Sequence, residues 1–82
     1  MSGYDPVGIR VQPTLARIHR EAQRGKDAPV PFATVCIGLN VPSDLHSRLL
    51  RHLVDMGYVT ETSVGRVQLT EAGTIRVTPQ RR

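Results

Sequence analysis

The chain has no tryptophan, one phenylalanine and two tyrosines. That scarcity of flat aromatic side chains leaves few platforms on which single-stranded bases could stack. One cysteine, Cys36, excludes an internal disulfide; it lies in the apolar run "FATVCIGLN" and reads as a buried small hydrophobe in a reducing, cytoplasmic setting. Burial of that kind raises a thiol pKa, so Cys36 and a distant histidine do not make a nucleophile–base pair. No apolar run approaches the roughly 20 residues that cross a bilayer, and no signal-peptide pattern is present, so no membrane partner is expected. Lysine is nearly missing too, since ten of the eleven basic residues are arginine.

Paired ligand spacings are also missing. His19, Cys36, His46 and His52 lack the intervals of zinc sites, and His46 and His52 point apart on a helix. Gly57, Gly65 and Gly73 stand singly and form no phosphate-binding loop, and the carboxylates are scattered. Neither a metal, a cofactor nor enzymatic activity is expected.

What remains is 82 residues, enough for one domain with one small core. A chain this short buries only about 60% of its unfolded surface. Eleven basic against seven acidic residues give a net charge of +4. The arginine guanidinium is a planar donor fork suited to phosphate and guanine edges, although a GC-rich genome, which encodes Arg in place of Lys, gives the same bias.

Residues 1–12 carry Val7, Ile9 and Val11 in alternation, which predicts an extended arm. In "PTLARIHREAQR", Leu15, Ile18, His19 and Ala22 recur at helical spacing, with Pro13 suited to a first turn and Gly25 to the end. "KDAPVPF" is broken by proline and can hold a strand of at most two or three residues. "FATVCIGLN" fits either a short helix or a buried strand, with Asn40 as a left-handed end. Ser43 is placed to cap a helix running to about Met56, where Gly57 stops it. "YVTET" and "RVQLT" flank "SVG", which predicts a hairpin. Thr70 could cap one turn, but Gly73, Ile75, Val77 and Pro79 predict an extended basic tail over 74–82. "GIRVQP" and "TIRVTP" nearly repeat at the two ends; the match is either coincidence or a pair of arms that meet, within one chain or across two.

The order of helices followed by a hairpin is that of a winged helix-turn-helix, and "FATVCIGLNVPSDLHSRLLRHLVDMGYV" resembles the helix-turn-helix of MarR-like prokaryotic regulators. "GYVTETSVGRVQLTEAG" looks like the strand–wing–strand that follows. The resemblance covers residues 13–73 and implies an α+β fold, with a three-helix core, a two-stranded C-terminal wing and extended terminal arms. On the helix from Ser43, the apolar half is expected to hold Leu45, His46, Leu49, Leu50, Leu53, Val54 and Met56. Asp44, Ser47, Arg48 and Arg51 follow i, i+3, i+4, i+7 on the opposite side.

In the winged-helix resemblance that polar face enters the major groove. Arg48 and Arg51 would fork onto guanine or clamp phosphates, and Ser43 and Ser47 would allow close approach. Asp44 would accept from cytosine N4, orient Arg48 or be repelled, with orienting Arg48 the favoured role. Arg66 at the wing would touch the backbone or minor groove. The alternative is a solvated face with an Asp44–Arg48 pair worth about 0.3 kcal/mol. The function expected is sequence-specific binding of double-stranded DNA by a small prokaryotic, phage or plasmid transcriptional regulator. A homodimer through the arms is possible; no small-molecule effector is expected, because the long terminal helices of MarR-like proteins are missing. The alternatives are a protein–protein adaptor and an RNA-binding or DNA-architectural domain.

Overall fold

A computed structural model describes residues 7–25 and 29–78. After a single 3-10 turn at Gly8–Arg10, helix α1 runs over Val11–Arg24. Val11, Thr14, Leu15 and Ile18, three and four residues apart, form its buried stripe. Pro13 falls in the first turn, where its missing N–H leaves no helical bond unmade. The outer side is laced by Glu21, which holds the Arg17 guanidinium at 3.1 Å and Arg24 at 3.9 Å.

Strand β1 is only Val30–Pro31, within the expected limit. Helix α2, Phe32–Gly38, settles the ambiguous apolar run as helical: Phe32, Val35 and Cys36 turn inward at i, i+3, i+4. Asn40 takes the left-handed conformation at φ 58°, and this lets the Val41 N–H donate to the Cys36 carbonyl at 2.9 Å. Burial pushes the Cys36 thiol up to about 11, because a thiolate has no solvation there.

A 3-10 turn at Ser43–Leu45 then leads into helix α3, His46–Asp55. Ser43 makes no side-chain capping bond; it lies inside the turn, where the Leu45 N–H is satisfied by the Pro42 carbonyl instead. Gly57, at φ 80°, ends α3 and frees the Tyr58 N–H to donate to the Leu53 carbonyl.

Strands β2, Val59–Ser63, and β3, Arg66–Leu69, form the expected hairpin around Gly65, which has φ 78°. Among the described residues the sheet has three antiparallel strands rather than two, in the order β1-β3-β2. Val30 lies opposite Val67, and Val59 opposite Leu69. The ladder is irregular between Glu61 and Ser63, leaving Thr62 as an extra residue. One core joins Leu15 and Ile18 of α1, Val35 of α2, Leu49 and Leu53 of α3, and Val59 and Val67 of the sheet, each at most 1% exposed. Each such side chain contributes about 1.5–3 kcal/mol of burial energy.

Both terminal arms depart from expectation. The described part of the first, residues 7–12, is coiled: alternation at Val7, Ile9 and Val11 gives way to a stripe in which Val11 is buried and Ile9 exposed. The second begins with a fourth helix, α4, over Glu71–Val77. Thr70 caps it by accepting from the Gly73 N–H at 3.2 Å, and it also donates to the Gly57 carbonyl. Gly73 is what permits α4 to seat there: a Cβ at that position would collide with the Tyr58 carbonyl oxygen. The core therefore has four helices and extends past residue 73. Residues 1–6 and 79–82, which complete the two arms, lie outside the described residues.

The two near-repeats do meet, within one chain and as helices. Gln12 of α1 donates through Nε2 to the Arg76 carbonyl and accepts through Oε1 from Arg76 Nε, both at 3.0 Å. Arg76 also donates to the Tyr58 hydroxyl at 2.9 Å, with its guanidinium 5.3 Å from that ring's centroid. Among the described residues, no helix is long and apolar enough to cross a membrane.

Candidate functional site

Leu45, Leu49 and Leu53 fix the roll of α3 by burying one side against the core. His46 adds a lock, its Nε2 lying 3.0 Å from the Val41 carbonyl. The opposite side is left to solvent, and Ser43, Asp44, Ser47, Arg48 and Arg51 are all exposed there. Val54, 41% exposed, and Met56, 52%, belong to the surface and not to the apolar half expected of them. The helical interval 47, 51, 54 carries the signal for Val54, since i, i+4, i+7 places it beside Ser47 and Arg51.

Two recesses run along the hairpin side of α3. One of about 400 Å³ is lined by Ser47, Leu50, Arg51, Val54 and Asp55 with Glu61 of β2 across from them. The other, about 150 Å³, is lined by Phe32, Ala33, His46, Ser47, Leu50 and Gly65 of the hairpin turn. Ser47 and Leu50 belong to both, so the recesses form one groove with α3 as a wall and the hairpin opposite. Arg66, next to Gly65 in the hairpin, is exposed. Arg48 faces the other way, into a recess of about 380 Å³ that it shares with Val7, Arg51, His52 and Asp55. Arg51 and Asp55 border both sides, and Arg51 is the one cation that does so.

The chain gives no match to known protein families, curated proteins or solved structures.

The site's character therefore rests on its own electrostatics. No side-chain hydrogen bond or ion pair to a described residue engages the guanidinium of Arg48, Arg51 or Arg66. The expected pairing of Asp44 with Arg48 is not formed: the only ion pairs among the described residues are those of Glu21 with Arg17 and Arg24. A pair exposed to water on this helix would gain only about 0.3–0.5 kcal/mol, too little to hold two long side chains together. Glu61 is engaged, its carboxylate accepting from the Gly65 N–H at 3.3 Å and so closing the hairpin turn. The helical wheel groups Asp55 with Ser47 and Arg51 on the polar side, but sequence reasoning missed Glu61 and Leu50 as lining residues, because a wheel does not show which strand will face it. Among the described residues no three His, Cys, Asp or Glu side chains come together in a way that could hold a metal ion.

Proposed function

We propose that this chain is a winged-helix protein that binds double-stranded DNA with sequence preference, as a small transcriptional regulator does. The observation that carries the reading is the set of three exposed guanidinium groups without internal partners, Arg48, Arg51 and Arg66, on one ridge and the adjacent hairpin. Helix α3 is about 15 Å long at 1.5 Å per residue, and its free face is narrow enough for a major groove about 12 Å wide. In this reading Arg51 and Arg48 reach guanine edges or flanking phosphates. Ser47 lets the backbone come close, and Arg66 meets the sugar–phosphate chain beyond the groove.

Carboxylates set the limits of the contact. Asp55 and Glu61 line the far part of the hairpin-side groove and repel phosphate there, so the DNA engages the half of α3 nearer Ser47. The same far end, with Leu50 and Val54 between opposite charges, supports a second reading in which the groove holds a segment of another protein.

Selection from a random duplex pool, followed by titration of the recovered site, tests the first reading. Arg48→Ala and Arg51→Ala are each expected to weaken binding by about 1–3 kcal/mol, and affinity should fall steeply with salt. Unchanged binding in both variants would falsify the recognition-helix assignment and leave the protein-contact reading in its place.

A further inference from the structure

We infer that Asp44 is a base-reading residue of this interface and accepts a hydrogen bond from the N4 amino group of cytosine; the inference rests on the DNA-binding reading. Asp44 is exposed in the turn that leads into α3, and with Arg48 and Arg51 it follows i, i+4, i+7. It stands at the end of the ridge that enters a major groove first.

The side chain has two obvious internal occupations, and it takes neither. It makes no capping bond to the start of the turn or of α3, and it makes no ion pair with Arg48. Other carboxylates are committed or lie elsewhere: Glu21 ties two arginines, Glu61 closes the hairpin turn, and Asp55 sits at the opposite end of α3. Asp44 therefore keeps its full accepting capacity at the leading edge of the ridge.

Base chemistry narrows what a carboxylate can take there. It carries only acceptors when ionised, so guanine O6 and N7 and thymine O4 repel it. Adenine offers one donor, N6, next to the acceptor N7, which repels the second carboxylate oxygen. Cytosine presents one free N4–H and no acceptor on its own major-groove edge, so a carboxylate oxygen can accept there without meeting an acceptor of that base. Arg48 lies one helical turn away, about 6 Å along the axis, which spans about two base-pair steps. A cytosine read by Asp44 and a guanine read by Arg48 thus fit positions about two base pairs apart in one site.

The experiment compares duplexes selected by the unaltered protein with those selected by Asp44→Asn and Asp44→Ala, each shown by circular dichroism to be folded. The unaltered protein should select cytosine at one position, and replacing that base should weaken binding about tenfold. Asp44→Asn should move the preference at that position to adenine, because a carboxamide both donates to N7 and accepts from N6. Asp44→Ala should abolish the preference there alone. Two outcomes overturn the inference while the DNA-binding reading survives. One is an altered profile that copies that of Arg48→Ala, which would make Asp44 a positioning residue. The other is an equal gain in affinity for every duplex, which would mean that it only repels phosphate. If the unaltered protein selects no duplex over the random pool, both the inference and the reading beneath it are wrong.

Discussion

On the side of the molecule formed by α1 and α4 three of the four arginines are tied, Arg17 and Arg24 to Glu21 and Arg76 to Gln12 and Tyr58, while Arg20 is exposed without such a tie. On α3 and the hairpin, Arg48, Arg51 and Arg66 have no such ties. The amino acid is the same and the exposure is similar, so composition does not separate the two groups. Only the neighbours do. A tied guanidinium already directs its donors into the fold, whereas an untied one retains them for a ligand. Glu21 is a single carboxylate three and four residues from its partners, whereas Arg76 joins α4 to α1 and to the turn before β2. Arg76 should therefore matter more to stability than exposed helical ion pairs do.

The comparison breaks most sharply at the seat of α4. Gly73→Ala should cost about 2–3 kcal/mol of unfolding free energy, since its new methyl meets main chain that has nowhere to go. Denaturant titration that finds the variant as stable as the parent would mean that α4 is not packed against Tyr58. A smaller effect belongs to Arg76→Ala, expected to lose about 1–2 kcal/mol by the same measurement while leaving duplex affinity unchanged. Arg51→Ala is the mirror experiment, with stability held within about 0.5 kcal/mol and duplex affinity reduced. Equal behaviour of the two variants in both assays would erase the distinction between tied and untied arginines. The smallest change, and of opposite sign, is Thr14→Val. The Thr14 hydroxyl is fully buried with no hydrogen-bond partner, so the isosteric methyl should raise stability by about 1 kcal/mol. A loss on calorimetry would show that the hydroxyl is in fact satisfied.

Much of the fold was legible because its signals are local. Leu15 and Ile18 carry a helical period, Gly57 and Gly65 sit where the chain needs positive φ, and Asn40 ends α2 as its type suggests. The arms were misread because their determinants are distant. Ile75 and Val77 favour extended chain in isolation, but the Thr70 cap and the contact with Gln12 outweigh that propensity. Gly73 looks like a helix breaker until the Tyr58 carbonyl is placed beside it. At the candidate site, Ser43, Asp44, Ser47, Arg48 and Arg51 were legible as one exposed face because a helix displays its sides by arithmetic. That Arg48 and Arg51 open onto different recesses, and that Glu61 lies across from α3, depends on how the hairpin packs. The Asp44–Arg48 pair illustrates the limit: i, i+4 spacing permits the contact, and solvent makes it too weak to be obligatory.

The bond between Gln12 and Arg76 also has a consequence in time. Its partners are 64 residues apart in the sequence, so on a ribosome α1 emerges long before α4 can join it. The side of α1 that will receive Arg76 must stay wet while the hairpin forms, and the leucine and valine core has to hold without that clasp. Within α4 only Gly73 is buried and Val77 partly so, so this helix covers less apolar surface than α1 or α3. Under native conditions its amides should exchange sooner than those of Leu49 or Val67. The join between the two near-repeats is thus expected to close last, a latch on a body that is already formed.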